Sequence, residues 1–362
     1  MTVSPRRTAD VVVIGGGGVG SAAAWRLAAR GTDVVLLERF TAGHVFGASH
    51  GASRIFRVTY SEPDYVELAR RAHRLWLELE SLTGKELLEI TGGIDHGQVP
   101  LTALADAVAR AGSPGSFVPV GEATERWPGI RFDGTVFFHP VSGTLDADAA
   151  VAALQSAAAS AGAQIRHESP VKRLRVRNDL VEVDTDDGTV VARAAVVTVG
   201  AWSAKLLDAV LTLPPLRVTQ EQPAYFAGAT TGWPSFVHHI EDPYPSGVYG
   251  LATPGHGIKA GFHGVGPVVD PDNRDFLPEP GQLAALQDYA RTWLPGVDPD
   301  TFTPISCTYT STTNSDFILD RVGPVVVGAG FSGHGFKFLP AVGEVLADLA
   351  TTGKRPAARF AL

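Results

Sequence analysis

Gly15, Gly17 and Gly20 occupy the three glycine positions of G-x-G-x-x-G, directly behind the apolar run Val11-Val-Val-Ile14. In a nucleotide site the first glycine makes a tight turn and the second lets backbone approach a pyrophosphate. The third lets a helix pack closely on its strand. A helix over Ser21–Arg30 would aim its N-terminal N–H groups and positive dipole end at that pyrophosphate. Glu38 follows the second apolar run Val34–Leu37, 23 positions after Gly15, where a carboxylate takes ribose hydroxyls. Glycines alone would make only a turn. Strand, helix and acid together predict a dinucleotide site.

Other residue types with chemical potential are sparse. Lysine is scarce, six against 24 arginines, so a lysine inside a motif stands out. Lys259 and His263 lie on one face of an alternating strand, about 13 Å apart, with Ile258, Ala260 and Phe262 on the other. Taken alone, that polar face would meet solvent. Cys307 is the only cysteine. It excludes an internal disulfide and fits a reducing cytoplasm, and in isolation it would pass for a small buried hydrophobe. His96, His238 and His239 have no metal-ligand spacing, and no metal is expected.

The elements that must position these residues follow from pattern. The loop His44–Arg57 is too long and polar for a simple connection. A helix over about 64–82 carries Tyr65, Leu68, Ala69, Ala72, Leu75, Trp76 and Leu79 on one face and stops near Gly84. From about 86 to 145 the chain breaks into short pieces between turns. Asp146 caps an Ala-rich helix to about 161. Strands are expected at Gln164–His167, Val171–Val176, Leu180–Val183, Thr189–Ala192 and Ala194–Gly200, with a helix over Trp202–Leu211. Aromatics, prolines and turns fill 215–305, with one helix near Gln282–Thr292. A short strand Val325–Val327 leads to Gly328-Ala-Gly330-Phe-Ser-Gly333-His-Gly335-Phe-Lys337 and a last helix ending at Gly353. The pattern predicts a discontinuous nucleotide domain over 1–85, 146–214 and 306–362, with a second domain inserted at 86–145 and 215–305.

Composition narrows the function classes. The 362 residues suit two domains, and 44% hydrophobic content supplies a sizeable core. A net charge of −8 argues against nucleic acid and anionic membrane surfaces as partners. No apolar run reaches membrane-spanning length. Arg6-Arg7 before an apolar stretch imitates an export signal, but that stretch is the nucleotide-binding strand, which favours a cytoplasmic location.

Four segments together resemble the monomeric sarcosine oxidase family of flavoenzymes, which includes N-methyltryptophan and pipecolate oxidases. They are the N-terminal fingerprint, Ser49-His-Gly-x-x-Arg54-x-x-Arg57, Gly257-Ile-Lys259-Ala-Gly-Phe-His263, and Cys307-Thr-Tyr309 with Gly330-Phe-Ser-Gly-His-Gly-Phe-Lys337. The resemblance spans about residues 10 to 350. It implies an α/β, Rossmann-like FAD-binding domain of the D-amino-acid-oxidase type, with an inserted antiparallel-sheet α+β substrate domain. It also implies FAD held covalently through Cys307, and oxidation of N-methyl or cyclic amino acids by O2 to an imine and hydrogen peroxide. The small amino acid and O2 would be the only partners of a monomer.

By position, Lys259 would activate oxygen and Arg57 and Lys337 would bind the substrate carboxylate. Tyr249, His263 and Tyr309 would line the pocket, with His50 and Arg54 beside the flavin ring. Arginine suits bidentate carboxylate binding, and a negatively charged chain that takes an anion needs local positive charge. Cofactor contacts are expected from Gly15, Gly17, Gly18, Val19, Gly20, Glu38, Arg39, His44, Gly47, Ser49, His50, Arg54, Val171, Gly200, Trp202, Cys307, Gly333, Gly335 and Lys337. One departure concerns loop shape: Ser311-Thr-Thr-Asn314-Ser-Asp316-Phe317 lacks the proline that the family carries there. The rival readings are a family enzyme acting on a biosynthetic amino-acid or imino-acid intermediate, and a flavin-binding protein without turnover. An NAD-dependent dehydrogenase is disfavoured, because NAD chemistry has no use for the Cys307 context.

Overall fold

The structure, a computed structural model, describes residues 6–240 and 242–362. The first five residues of the expected 1–85 segment therefore lie outside it, as does position 241.

The apolar run behind the glycines is the strand Arg6–Ile14, at the centre of an eight-stranded sheet. It pairs in parallel with Val34–Leu37 on one side and with Gly188–Val197 on the other. The two strands expected at 189–192 and 194–200 are one continuous strand. Its outer edge takes two partners in series, Leu180–Thr185 near its start and Val325–Ala329 near its end. Both faces of this sheet are covered. On one face pack the helices Gly18–Ala28, Pro63–Thr83, Ala147–Ser160 and Leu339–Thr351, and on the other Val12, Ile14, Val35 and Leu37 cluster with Leu174, Val181, Val183 and Leu207. Two-sided burial is why these strands read as unbroken apolar runs.

A second eight-stranded sheet runs in the order Val297–Pro304, Ala224–Gly228, Gly257–Phe262, Val248–Thr253, Ser235–His239, Gly93–Gly97, Thr135–His139, Ser116–Val118. It is antiparallel except at one joint, where Ser235–His239 runs parallel to Gly93–Gly97. The all-antiparallel expectation fails there because the two strands come from distant segments, and no hairpin constrains their direction. One face of this sheet carries Ile94, Phe226, Phe236, Ile258, Ala260 and Phe262, packed against Leu286, Tyr289 and Ala290 of the helix Pro280–Trp293. The other face carries Lys259, and there it meets the glycine-rich loops of the first sheet.

Local structure departs from expectation in three places. The first helix starts at Gly18 rather than Ser21, because Ser21 N–H already bonds the Gly17 carbonyl across the glycines. The expected helix Trp202–Leu211 is a single short piece, Ser203–Leu207, entered through a turn of 3-10 helix. The stretch 86–145 holds two helices, Thr102–Arg110 and Val120–Arg126, each too short for a clear apolar period.

Candidate active site

One cavity of about 1330 Å³ connects the glycine loop to the second sheet. Its wall includes Gly15, Gly17, Gly18, Val19, Glu38, Arg39, His44, Gly47, Ser49, His50, Arg54, Val171, Gly200, Trp202, Cys307, Gly333, Gly335 and Lys337. The same cavity is lined by Arg57, Tyr249, Lys259, His263 and Tyr309. Of the expected site residues only Gly20 is absent from the wall. It is buried, and a Cβ there would stand 1.9 Å from the Gly15 carbonyl oxygen, so its task is close packing of helix on turn.

At the nucleotide end, Gly16 N–H donates to Glu38 Oε2 at 2.6 Å, and Phe40 N–H donates to Oε1 at 2.9 Å. Glu38 thus braces the glycine loop as well as facing the cavity. Gly18 N–H donates to Ser49 Oγ, and the helix N-cap Gly17 brings no side-chain cap of its own. Arg39 and the Trp202 indole both donate to Asp272.

Arg54 is the keystone of the middle section. Its guanidinium donates to the carbonyls of Ala48, His50 and Ser53, curling the loop 48–53 around itself, and it lies 3.9 Å from Cys307 Sγ. Cys307 is half-buried in the strand Cys307–Ser311 and pairs with Glu221 across the ladder. His50 Nε2 is buried without a hydrogen-bond partner among the described residues. Burial, then the Arg54 charge, lowers its pKa to about 4.

Lys259 is 3% exposed and donates to the Ser53 carbonyl at 3.2 Å, with its Nζ 5.6 Å from the Tyr225 ring centroid. The strand's polar face is therefore a cavity wall and not a solvated surface. Burial, then the Arg54 charge, holds the ammonium well below the usual lysine range, although Cys307 and Asp148 pull it back. His263 lies just beyond the same strand, its ring 5.2 Å from that of Tyr309, and its exposed surface faces the cavity. Burial and then Arg57 and Lys337 lower its pKa to about 4. Tyr309 in turn lies flat against Gly333, where a Cβ would fall 2.1 Å from the ring.

Arg57 and Lys337 meet at Tyr60, which sequence reasoning missed. The Arg57 guanidinium lies 4.5 Å over the Tyr60 ring, and Lys337 Nζ donates to the Tyr60 hydroxyl at 2.9 Å. Lys337 also donates to the His334 carbonyl. His334 donates from Nε2 to the Ser315 carbonyl, so its Nδ1 accepts from Tyr60 at 3.3 Å. The proline-free loop after Tyr309 thus reaches the Arg57–Lys337 pair through one histidine. Burial, with Arg57 adding repulsion, holds Lys337 well below its usual range. Burial likewise pushes the Tyr60 phenol up to about 12.

Behind Arg57 lies Asp95, fully buried and also missed from sequence. It accepts from Thr59 Oγ1 at 2.7 Å, His139 Nε2 at 3.1 Å and His239 Nε2 at 2.8 Å, and Arg57 Nη1 stands 3.8 Å away. Burial pushes its carboxyl up, but the hydrogen bonds from His139 and His239 and the Arg57 charge prevail and hold it well below the usual range. A carboxylate between two glycines in the middle of a strand, Gly93-Ile-Asp95-His-Gly97, was the only signal available. On the opposite face of these strands, His96 and His238 stack at 4.1 Å within the core.

These buried histidines set an acid limit on stability. His238 is 1% exposed, and its pKa is lowered to about 4 by burial. Between about pH 4 and 6.5 the unfolded chain then binds more protons than the folded one, so stability falls as pH falls through that window. His238 alone contributes on the order of 3 kcal/mol to that loss. Thermal melts at fixed salt are expected to drop steadily from pH 6.5 to pH 4, and less so for His238→Gln. A flat profile would contradict a neutral buried His238.

Residues 10–349 match the profile of a family described as FAD dependent oxidoreductase. The chain belongs to that family. Monomeric sarcosine oxidase of Bacillus sp. (strain NS-129) is 34% identical to this oxidoreductase over 364 residues, covering 95% of this chain and 93% of the relative. N-methyl-L-tryptophan oxidase of Yersinia pestis (strain Pestoides F) is 31% identical over 363 residues, with 96% of each covered. Among solved structures NikD, described as an unusual amino acid oxidase essential for nikkomycin biosynthesis, superposes with a TM-score of 0.87. Its sequence is 29% identical, over 98% of this chain and 97% of its own. The fold is accordingly the D-amino-acid-oxidase type.

The residues present fit FAD. An uncapped helix start beside backbone glycines suits the pyrophosphate, and Glu38 borders the space where ribose hydroxyls belong. The buried, unpartnered His50 nitrogen belongs to the same cavity wall, where a polar edge of the cofactor would satisfy it.

Proposed function

We propose that this oxidoreductase oxidises a small secondary amino acid, N-methylated or cyclic, with O2 as acceptor, giving an imine that hydrolyses and hydrogen peroxide. The single observation that carries this reading is the convergence of Arg57 and Lys337 on Tyr60 in the cavity that begins at the glycine loop. FAD, when bound, supplies the redox chemistry, taking a hydride equivalent from the carbon beside the amine and passing the electrons to O2.

The chain's own residues do the rest. Arg57 and Lys337 hold the substrate carboxylate, and the pair fixes which carbon faces the cofactor. With Tyr249, Tyr309 and Leu251 around it, the amine sits in a mostly apolar enclosure that favours its neutral, electron-rich form. Lys259 places a buried cation where negative charge develops on oxygen. The segments 86–145 and 215–305 form the substrate domain in this reading, and 1–85, 146–214 and 306–362 the cofactor domain. A cytoplasmic monomer is part of the proposal; the single cysteine, Cys307, leaves no internal disulfide to form, which suits a reducing compartment.

The test is peroxide release from the FAD-loaded protein over a panel of amines. N-methyl and cyclic amino acids are expected to give peroxide, and the same amines without the carboxylate are not. Equal turnover of both sets would refute the clamp-directed reading.

Covalent attachment through Cys307 belongs to the same proposal. Its thiol lines the cavity, with the Arg54 guanidinium 3.9 Å from Sγ. Forming a thioether from a thiol and the 8-methyl group is a two-electron oxidation, with O2 as final acceptor of the electrons and two protons. Acid-precipitated wild-type protein is expected to stay yellow, and Cys307→Ser to release its flavin into the supernatant. A colourless wild-type pellet would contradict the linkage and leave the fold untouched.

A further inference from the structure

Asp95 and His239 form a second polar constellation at the cavity. They sit on the parallel joint of the second sheet, where Asp95 pairs with Val237 and Gly97 with His239. Val237 and His239 are two residues apart on one strand, so they share a face, and both line the cavity. Asp95 occupies that same face one strand over, wholly buried. An ionised carboxylate only accepts, so the 2.8 Å contact places the proton on His239 Nε2. On a ring carrying that one proton Nδ1 is an acceptor, and among the described residues no group donates to it. This ring is fixed by a buried anion, partly open to the cavity and free on its second nitrogen.

Its position relative to the clamp defines what it can read. Asp95 Oδ1 lies 2.8 Å from His239 Nε2 and 3.8 Å from Arg57 Nη1, so the histidine and the carboxylate-binding arginine are neighbours fixed by one oxygen. A group branching from the carbon that bears the carboxylate is the nearest candidate to reach His239 while the carboxylate rests on Arg57. It must also be short.

We propose that His239, held by Asp95, is a specificity-determining residue that selects amino acids whose short side chain carries an O–H or N–H donor. The inference rests on the proposed amino-acid oxidation and deepens it. Asp95 is a positioning residue: it fixes the His239 tautomer and aims Arg57. A site built to bond a donor discriminates strongly against an apolar isostere, because the acceptor, cut off from water by the bound substrate, is left unpaired.

The test compares N-methylserine with its near-isostere N-methyl-2-aminobutyrate. Wild-type enzyme is expected to favour N-methylserine at least tenfold in kcat/KM. His239→Leu should bring the ratio to about one through loss on N-methylserine, whereas His239→Gln, which still offers an acceptor, should keep part of it. Asp95→Asn should lower the ratio and raise KM for both substrates more than it lowers kcat, because Arg57 loses its anchor. A merely structural role for Asp95 would lower kcat and flavin content and leave the ratio intact. A wild-type enzyme that oxidises sarcosine but shows no preference within the pair overturns this inference alone, as does a preference that survives His239→Leu. Failure to oxidise any secondary amino acid overturns the proposed function itself, and this inference with it.

Discussion

Lys259→Met is expected to leave anaerobic bleaching of the flavin by substrate within a few-fold of normal, while slowing its recolouring by O2 by about a thousandfold or more. That factor is roughly 4 kcal/mol or more of transition-state stabilisation. Negative charge appears on a small molecule when O2 accepts an electron, and a fixed cation in a water-poor site stabilises it far better than bulk water does. Lys259 meets the geometric need: it is buried, on the cavity wall, and held by a single carbonyl acceptor, Ser53.

The same burial lowers its pKa, with Arg54 adding to the effect. Only the protonated form helps, so the oxygen rate should fall as pH rises through that lowered pKa, earlier than an ordinary lysine would allow. The methionine variant should be flat over the same range. Lys259→Arg should rescue in part, since a planar guanidinium spreads its charge and needs more room. Stopped-flow recolouring of pre-reduced protein separates these outcomes, and unchanged oxygen reactivity would remove Lys259 from the reaction.

The second large effect concerns the clamp. Lys337→Met is expected to weaken a carboxylate inhibitor about a hundredfold, the scale for removing one partner of a buried charged pair. Arg57→Met should cost at least as much, since it also leaves Asp95 without its cation. Arg57→Lys should rescue poorly, because a point charge cannot make the bidentate contact. Burial, with Arg57 adding repulsion, holds Lys337 well below its usual pKa. A bound carboxylate restores its charge, so binding should tighten as pH falls towards that pKa and weaken as pH rises through it. Spectral titration of the flavin with the inhibitor reads all of this without turnover. Loss of affinity in neither variant would mean the carboxylate binds elsewhere.

Much of the cofactor end was legible in sequence because its signals are local. The run Val11–Ile14, the glycines and Glu38 lie within one strand–helix–strand unit, and each has one physical task. Asp146 caps its helix through the Ala149 N–H, and Gly84 stops Pro63–Thr83 in a left-handed turn at φ 66. The substrate end was less legible. Asp95 gathers Thr59, His139 and His239, the last of them 144 positions from it, and no local period records such a meeting. Tyr60 carries no local signal of its own, yet it meets both Arg57 and Lys337. Lys259 showed the reverse problem. Its alternating strand suits a solvated face equally well, and only the second buried face, seen in the fold, shows that it lines a cavity.

The most direct measurement of the central claim is an anaerobic titration of the FAD-loaded protein with a small N-methyl amino acid, followed by readmission of air. The expected result is stoichiometric loss of the flavin's visible absorbance, with its return on air accompanied by one equivalent of hydrogen peroxide and one of aldehyde. A flavin that stays oxidised across the secondary amino acids would contradict the assignment, however closely the cavity fits them.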